Sequence, residues 1–278
     1  MSNFLSPSLR VAQHLSDSAM LEGAHATVVL LAVKCLKRPR SEQQRSLMAD
    51  RLSKLEQLRH PHVVRYHLNS LESDEANITV IMEAWGVSVS SLIASKEHCG
   101  PKYIAGFAGQ VLRALTGLHS VGVVHGDIKP ANVLLSRNVY KVCDIDEAAT
   151  GSACYMSPAR ARRHPRPSRE DCYSDTYALG MCVLEVLTGR QPYCEFDSQC
   201  VVFARVCAGQ QPRSWSARSR LGYDPGSERL IAALLASDAC PDACPDACEL
   251  ACPQARARPS EQLALVQLLC ATSELSAE

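Results

Sequence analysis

One short stretch, Val124-His125-Gly126-Asp127-Ile128-Lys129-Pro130-Ala131-Asn132-Val133-Leu134-Leu135, most constrains this chain, because it sets Asp127, Lys129 and Asn132 between apolar flanks. Two regions of different periodicity surround it. Before it, Leu9 to Leu15 and Ala26 to Cys35 read as strands, the second through the continuous apolar run Val28 to Val33. Ser41-Glu42-Gln43-Gln44 has the spacing of a capping box, and Leu47, Met48, Leu52, Leu55 and Leu58 follow at helical intervals. Val63 to Leu68 and Ile78 to Met82 read as further strands, with Trp85-Gly86 closing the last.

From Lys102 onward the pattern is helical: Tyr103 to Val121, Ser174 to Thr188, Val201 to Ala208, Glu228 to Ala236 and Ser260 to Ala271. A sheet with one helix, followed by a larger helical part, makes an α+β protein of two lobes.

Composition removes several alternatives. The 29 basic and 29 acidic residues cancel, so no global field draws in nucleic acid or anionic lipid, and any phosphate recognition must be local. No apolar run is long enough to span a bilayer, and Met1 to Arg10 lack a charged start followed by an apolar core. The expectation is a cytoplasmic protein that binds neither nucleic acid nor membrane, of unassigned oligomeric state. Its 14 cysteines, scattered through a large chain, are expected as reduced thiols.

Phosphoryl transfer asks a protein for a positioned acceptor hydroxyl, cations on the phosphate oxygens, and carboxylate or amide ligands for magnesium. Asp127 suits the acceptor proton, Lys129 the migrating phosphoryl group, and Asn132 a metal ion. Asp144, after the apolar-rich strand Tyr140-Lys141-Val142-Cys143, suits the same metal from the other side.

The loop resembles the H-R-D-x-K-x-x-N catalytic loop of protein kinases, and Asp144-Ile145-Asp146 stands in the place of D-F-G. Ala32-Val33-Lys34 resembles the lysine strand, and Gly151 to Pro158 the end of an activation segment. Ser174 to Gly180 resembles the helix under the catalytic loop, and Arg258-Pro259-Ser260 the pair before the last helix.

The resemblance implies a two-lobed kinase fold over 9–271, with a small lobe over about 9–83 and a helical lobe over about 87–271. Tails over 1–8 and 272–278 flank it, and a cysteine-rich insertion occupies 238–253. It also implies a serine/threonine kinase using ATP and Mg2+ on a protein substrate. Lys34 would then touch the nucleotide phosphates, Val11 and Ala19 would flank the phosphate loop, and Ala32 and Leu134 would sandwich adenine. Met82 would be the gatekeeper, and Glu83 and Trp85 would present hinge backbone.

Four features depart from that pattern. Counting back from Lys34 puts Ala12, His14 and Asp17 on the glycine positions of the phosphate loop, where side chains obstruct a close backbone cradle. Arg51 stands where a helix glutamate would pair with Lys34, with Asp50 one residue away as a substitute. Gly126 replaces the arginine that would bind a loop phosphate, and few residues separate Asp146 from Gly151, so a phosphorylation switch is not expected. Ala159 replaces a glutamate that would pair with Arg258. These losses keep a second expectation open, a pseudokinase acting as a binding or scaffold module.

Cys240, Cys244, Cys248 and Cys252 recur every fourth position. Pro241 and Pro245 break the helix that would gather them on one face, so the segment reads as a low-complexity insertion rather than a zinc site.

Overall fold

The computed structural model describes residues 9–14, 29–67, 77–145, 151–163, 172–218 and 222–236. The cysteine repeat and the helix expected over Ser260 to Ala271 lie outside them.

The first sheet contains β1 (Leu9–His14), β2 (Val29–Lys37), β3 (Tyr66–His67) and β4 (Asn77–Glu83), in the antiparallel order β1-β2-β4-β3. Its register aligns Val11, Ala32, Met82 and Tyr66 as one row across the four strands. Strand alternation gives β2 a buried face of Ala32, Lys34 and Leu36, while Cys35 and Lys37 are exposed. Lys34 is thereby carried inward rather than to solvent.

The helix α1 (Glu42–Gln57) begins at the expected cap: Ser41 Oγ accepts from the Gln44 N–H at 3.2 Å. It buries Leu52 and Leu55 and packs Met48 on the core, while Leu47 is 63% exposed. Helical periodicity therefore leaves Arg51, beside Leu52 and one turn before Leu55, partly buried at the edge of the inward stripe.

The strand expected over Val63 to Leu68 is shorter, because its residues serve two sheets. Tyr66 and His67 pair with β4, but Val63 bridges Val142, and His62 and Val64 exchange backbone hydrogen bonds with Val142 at 2.9 and 3.0 Å. Those bonds tie the first sheet to a second one of order β5-β6-β7, formed by β5 (Val87–Ser88), β6 (Val133–Ser136) and β7 (Val139–Val142). The hairpin turn at Arg137 and Asn138 has both residues at positive φ, the conformation tight hairpins need.

The helices are α2 (Val89–Ala94), α3 (Pro101–Ser120), α4 (Pro158–Arg163), α5 (Cys172–Thr188), α6 (Gln199–Cys207), α7 (Arg213–Ser216) and α8 (Pro225–Ala236). α5 is apolar nearly all round and is buried from Ser174 to Val186, between α3 and α8. Gly180 permits the approach of α8: a Cβ there would stand 2.9 Å from Leu235 Cδ2 and 3.0 Å from Leu234 Cβ. Phe107, Leu112, Leu115 and Leu179 are fully buried around this axis, each side chain contributing about 1.5–3 kcal/mol. Among the described residues no helix is long and apolar enough to cross a membrane.

Candidate active site

The loop is fixed from below by Asp175 of α5. This fully buried carboxylate accepts from the backbone N–H of His125 at 2.8 Å and of Gly126 at 2.7 Å, and pairs with His119 Nε2 at 2.9 Å. Burial alone would raise its pKa, but the His119 pair and the amides outweigh burial and hold it below the usual carboxylate range. Gly126 turns the chain with φ +83°. His125 accepts from the Asp127 N–H at Nδ1, 3.1 Å, so its proton sits on Nε2 and is donated to the Cys143 carbonyl at 3.0 Å. Burial pushes its pKa down, leaving a neutral imidazole that ties the loop to the Asp144 segment.

Asp127 emerges above this base. Its Oδ2 pairs with Lys129 Nζ at 2.6 Å, and its Oδ1 accepts from the Ser152 N–H at 2.9 Å. Lys129 Nζ also reaches Ser152 Oγ at 3.1 Å, and Asn132 Nδ2 donates to the Asp127 carbonyl at 2.9 Å. Burial favours the neutral acid, but Lys129 and Ser152 more than offset it, so the pKa lies below the usual range and the carboxylate is ionised at neutral pH. A shallow hollow lies beside it, lined by Asp127, Gly151, Ser152, Met156 and Arg160 among others.

Lys34 and Asp144, 110 residues apart in sequence, meet in an ion pair across the two sheets. Asp144 has φ +66°, and its neighbours hold it there: the Ile145 N–H donates to Tyr66 Oη at 3.1 Å, and Cys143 O receives His125. The Arg51 guanidinium meets backbone carbonyls. Its Nη2 donates to the carbonyls of Val124 at 2.7 Å and His125 at 3.2 Å, and its Nε to the Ile145 carbonyl. Asp50 does not replace the missing glutamate; it pairs with Lys54 at 2.6 Å along the helix surface.

Asn132 commits its amide N–H to Asp127, which leaves its amide oxygen available as a metal ligand. One carboxylate and one amide oxygen fit Mg2+, which takes few protein ligands and completes its shell with phosphate and water oxygens. Among the described residues no group of three His, Cys, Asp or Glu side chains gathers into a metal cluster of its own.

Ala32 and Met82 are buried cross-strand partners, and Leu134 lies partly buried on β6. The side chains of Glu83 and Trp85 are turned to other work: Glu83 pairs with Lys141 at 2.8 Å, and Trp85 donates to the Val139 carbonyl at 3.1 Å beneath the Lys141 ammonium. Val11, Ala12 and His14 fall in β1, while Ala19 and Asp17 lie outside the described residues.

Similarity to known proteins agrees with this geometry. The family model described as "Protein kinase domain" matches residues 18–240. The chain belongs to the protein kinase family. A probable serine/threonine-protein kinase WNK8 from Oryza sativa subsp. japonica is 29% identical over 170 residues, covering 58% of this chain and 28% of that protein. Mitogen-activated protein kinase kinase 9 from Arabidopsis thaliana is 30% identical over 172 residues, covering 55% of this chain and 54% of that protein. The chain thus spans about half or less of these relatives. A crystal structure of Rad53 1-466 in complex with AMP-PNP shares the fold, with a TM-score of 0.66 at 20% identity over 93% of this chain and 65% of that one.

Within this kinase fold, sequence reasoning passed over several residues of the site. Ser152, which touches both Asp127 and Lys129, was visible only as one member of the Gly151 to Pro158 motif. Tyr66 carried no signal beyond a strand residue, and Arg51 read as a defect rather than as a donor to three carbonyls. Arg160 of α4, whose Nη1 donates to Gly126 O at 2.6 Å, gave no signal in a run of basic residues.

Proposed function

We propose that this chain is a serine/threonine protein kinase that transfers the γ-phosphoryl group of ATP to hydroxyls of a protein substrate. The arrangement that carries the reading is Asp127 with Lys129 at 2.6 Å, both in contact with Ser152. An ionised carboxylate there accepts the hydrogen bond of an incoming hydroxyl and orients its oxygen for attack. Lys129 lies within reach of the same oxygen and offsets the negative charge of the phosphoryl group. Lys34, inward on β2, supplies the second cation to the nucleotide, and Ala32 and Leu134 sandwich adenine beside the gatekeeper Met82, with Val11 in register with Ala32 on β1. Ala19 would flank the phosphates, and the Glu83 and Trp85 backbone would meet the base edge.

Bound Mg2+, on Asp144 and Asn132, would supply charge neutralisation between the phosphates. Asp144 must exchange its Lys34 contact to accept it, which the half-exposed carboxylate permits. The names of the relatives support a protein hydroxyl as acceptor, and a cytoplasmic setting fits the reading.

The test is thermal stability with and without Mg-ATP, followed by transfer of labelled phosphate to a basic protein. Ligand at 100 times its Kd stabilises the folded state by about 2.7 kcal/mol. Asp127→Asn should retain that stabilisation and lose transfer by about 10²–10⁴-fold. Stabilisation without any Asp127-dependent transfer would reduce the chain to a nucleotide-binding module.

A further inference from the structure

We infer that Arg51 is a positioning residue that braces the catalytic loop against the metal-binding segment; as a claim about turnover, it rests on the phosphotransfer reading above. Its guanidinium spans three backbone carbonyls on two segments distant in sequence: Val124 and His125, just before Asp127, and Ile145, just after Asp144. The planar fork of arginine meets such a set of acceptors with little loss of freedom, which an ammonium on a flexible stem does not.

The segment it holds is conformationally demanding. Asp144 sits at φ +66°, a region that L residues other than Asn, Asp and Gly rarely enter. Three bonds keep it there: His125 Nε2 to Cys143 O, Ile145 N–H to Tyr66 Oη, and Arg51 to Ile145 O. Two of the three run through the loop that carries Asp127 or through the arginine that grips it. The relative placement of Asp127 and Asp144 is therefore set by one rigid knot, with α1 as its outer support through Leu52 and Leu55. The charge of Arg51 also bears on Lys34. With a cation at position 51, α1 offers Lys34 no acid there, and Lys34 takes Asp144. Arg51 is thus a second brace acting from α1, independent of the lysine.

Arg51→Met and Arg51→Lys are compared with wild type by steady-state transfer and by hydrogen exchange of the backbone amides of residues 124–129 and 144–145. Removing the brace should lower kcat by about 100-fold through misplacement of the reacting groups, with KM for ATP close to wild type and with partial recovery in Arg51→Lys. Exchange should quicken in those two segments and not in α5. An unchanged kcat in Arg51→Met, or a rise in KM with kcat preserved, overturns the inference. If Arg51→Met does not fold, Arg51→Lys alone decides: kcat and exchange both equal to wild type overturn it, and a reduced kcat with local exchange supports it. If wild type transfers no phosphate, the phosphotransfer reading fails, and Arg51 is judged by exchange alone, where unchanged protection of both segments overturns its bracing role.

Discussion

Lys34 on β2 ion-pairs with Asp144, the residue just after Cys143 in the segment that follows β7, and α1 contributes no carboxylate to the pair. The Lys34 side chain is 11% exposed and that of Asp144 40%, so the pair straddles buried and solvated ground. Such a half-exposed pair adds about 1 kcal/mol or less to folding. The pair therefore adds little to the fold.

Lys34→Met is expected to reduce phosphate transfer by about 10²–10³-fold, the cost of removing one preorganised cation from the reacting charge. A double-mutant cycle with Asp144→Asn, read by urea denaturation, should give a coupling to stability of no more than about 1 kcal/mol. A much larger coupling would make the pair a structural element and weaken its assignment to the nucleotide.

Gly126 illustrates a different economy, in which a lost side chain makes room for another. It replaces an arginine of the family pattern, and the guanidinium of Arg160 lies over it: a Cβ at Gly126 would stand 3.2 Å from Arg160 Nη1. That end of Arg160 can yield by a few tenths of an ångström, but φ +83° cannot be relieved without moving the loop from Asp175. Gly126→Ala should therefore destabilise by about 1–2 kcal/mol. Chemical denaturation should give the same loss in an Arg160→Ala background, because the backbone and not the clash sets the cost.

The sequence carried the fold through its periodicities. Val28 to Val33 gave β2, the Ser41 capping box gave the start of α1, and Tyr103 to Val121 gave α3 to within about two residues, the usual uncertainty at helix ends. The candidate chemical residues Asp127, Lys129, Asn132 and Asp144 were legible because one loop and one strand end hold them in order; the fold sets the first three in contact and Asp144 against Lys34. What escaped depends on contacts between distant segments. Arg51 acts on carbonyls 73 to 94 residues away, and Tyr66 meets an amide 79 residues away. A backbone carbonyl leaves no mark in the sequence to announce that a guanidinium will find it. The short helices α2, α4 and α7 escaped for a local reason, being too brief to show a period.

His119, in the last turn of α3, makes the stability of this arrangement depend on pH. Burial alone would lower its pKa, but the Asp175 carboxylate at 2.9 Å, with the Cys172 thiol nearby, raises it from 6.5 to about 9. The folded state thus holds the proton more tightly than the unfolded chain. Its contribution is complete below pH 6.5 and is lost as pH rises through about 9. The full span corresponds to about 3 kcal/mol. Asp175 works in the opposite direction, its stabilisation being lost only in acid as its own depressed pKa is crossed. Urea midpoints should therefore fall between about pH 6.5 and 9 in wild type. His119→Gln keeps a neutral donor for Asp175 and should remove that slope while lowering stability below pH 6.5. A slope that persists unchanged in His119→Gln would assign the alkaline loss to another group and free the base of the catalytic loop from this charge.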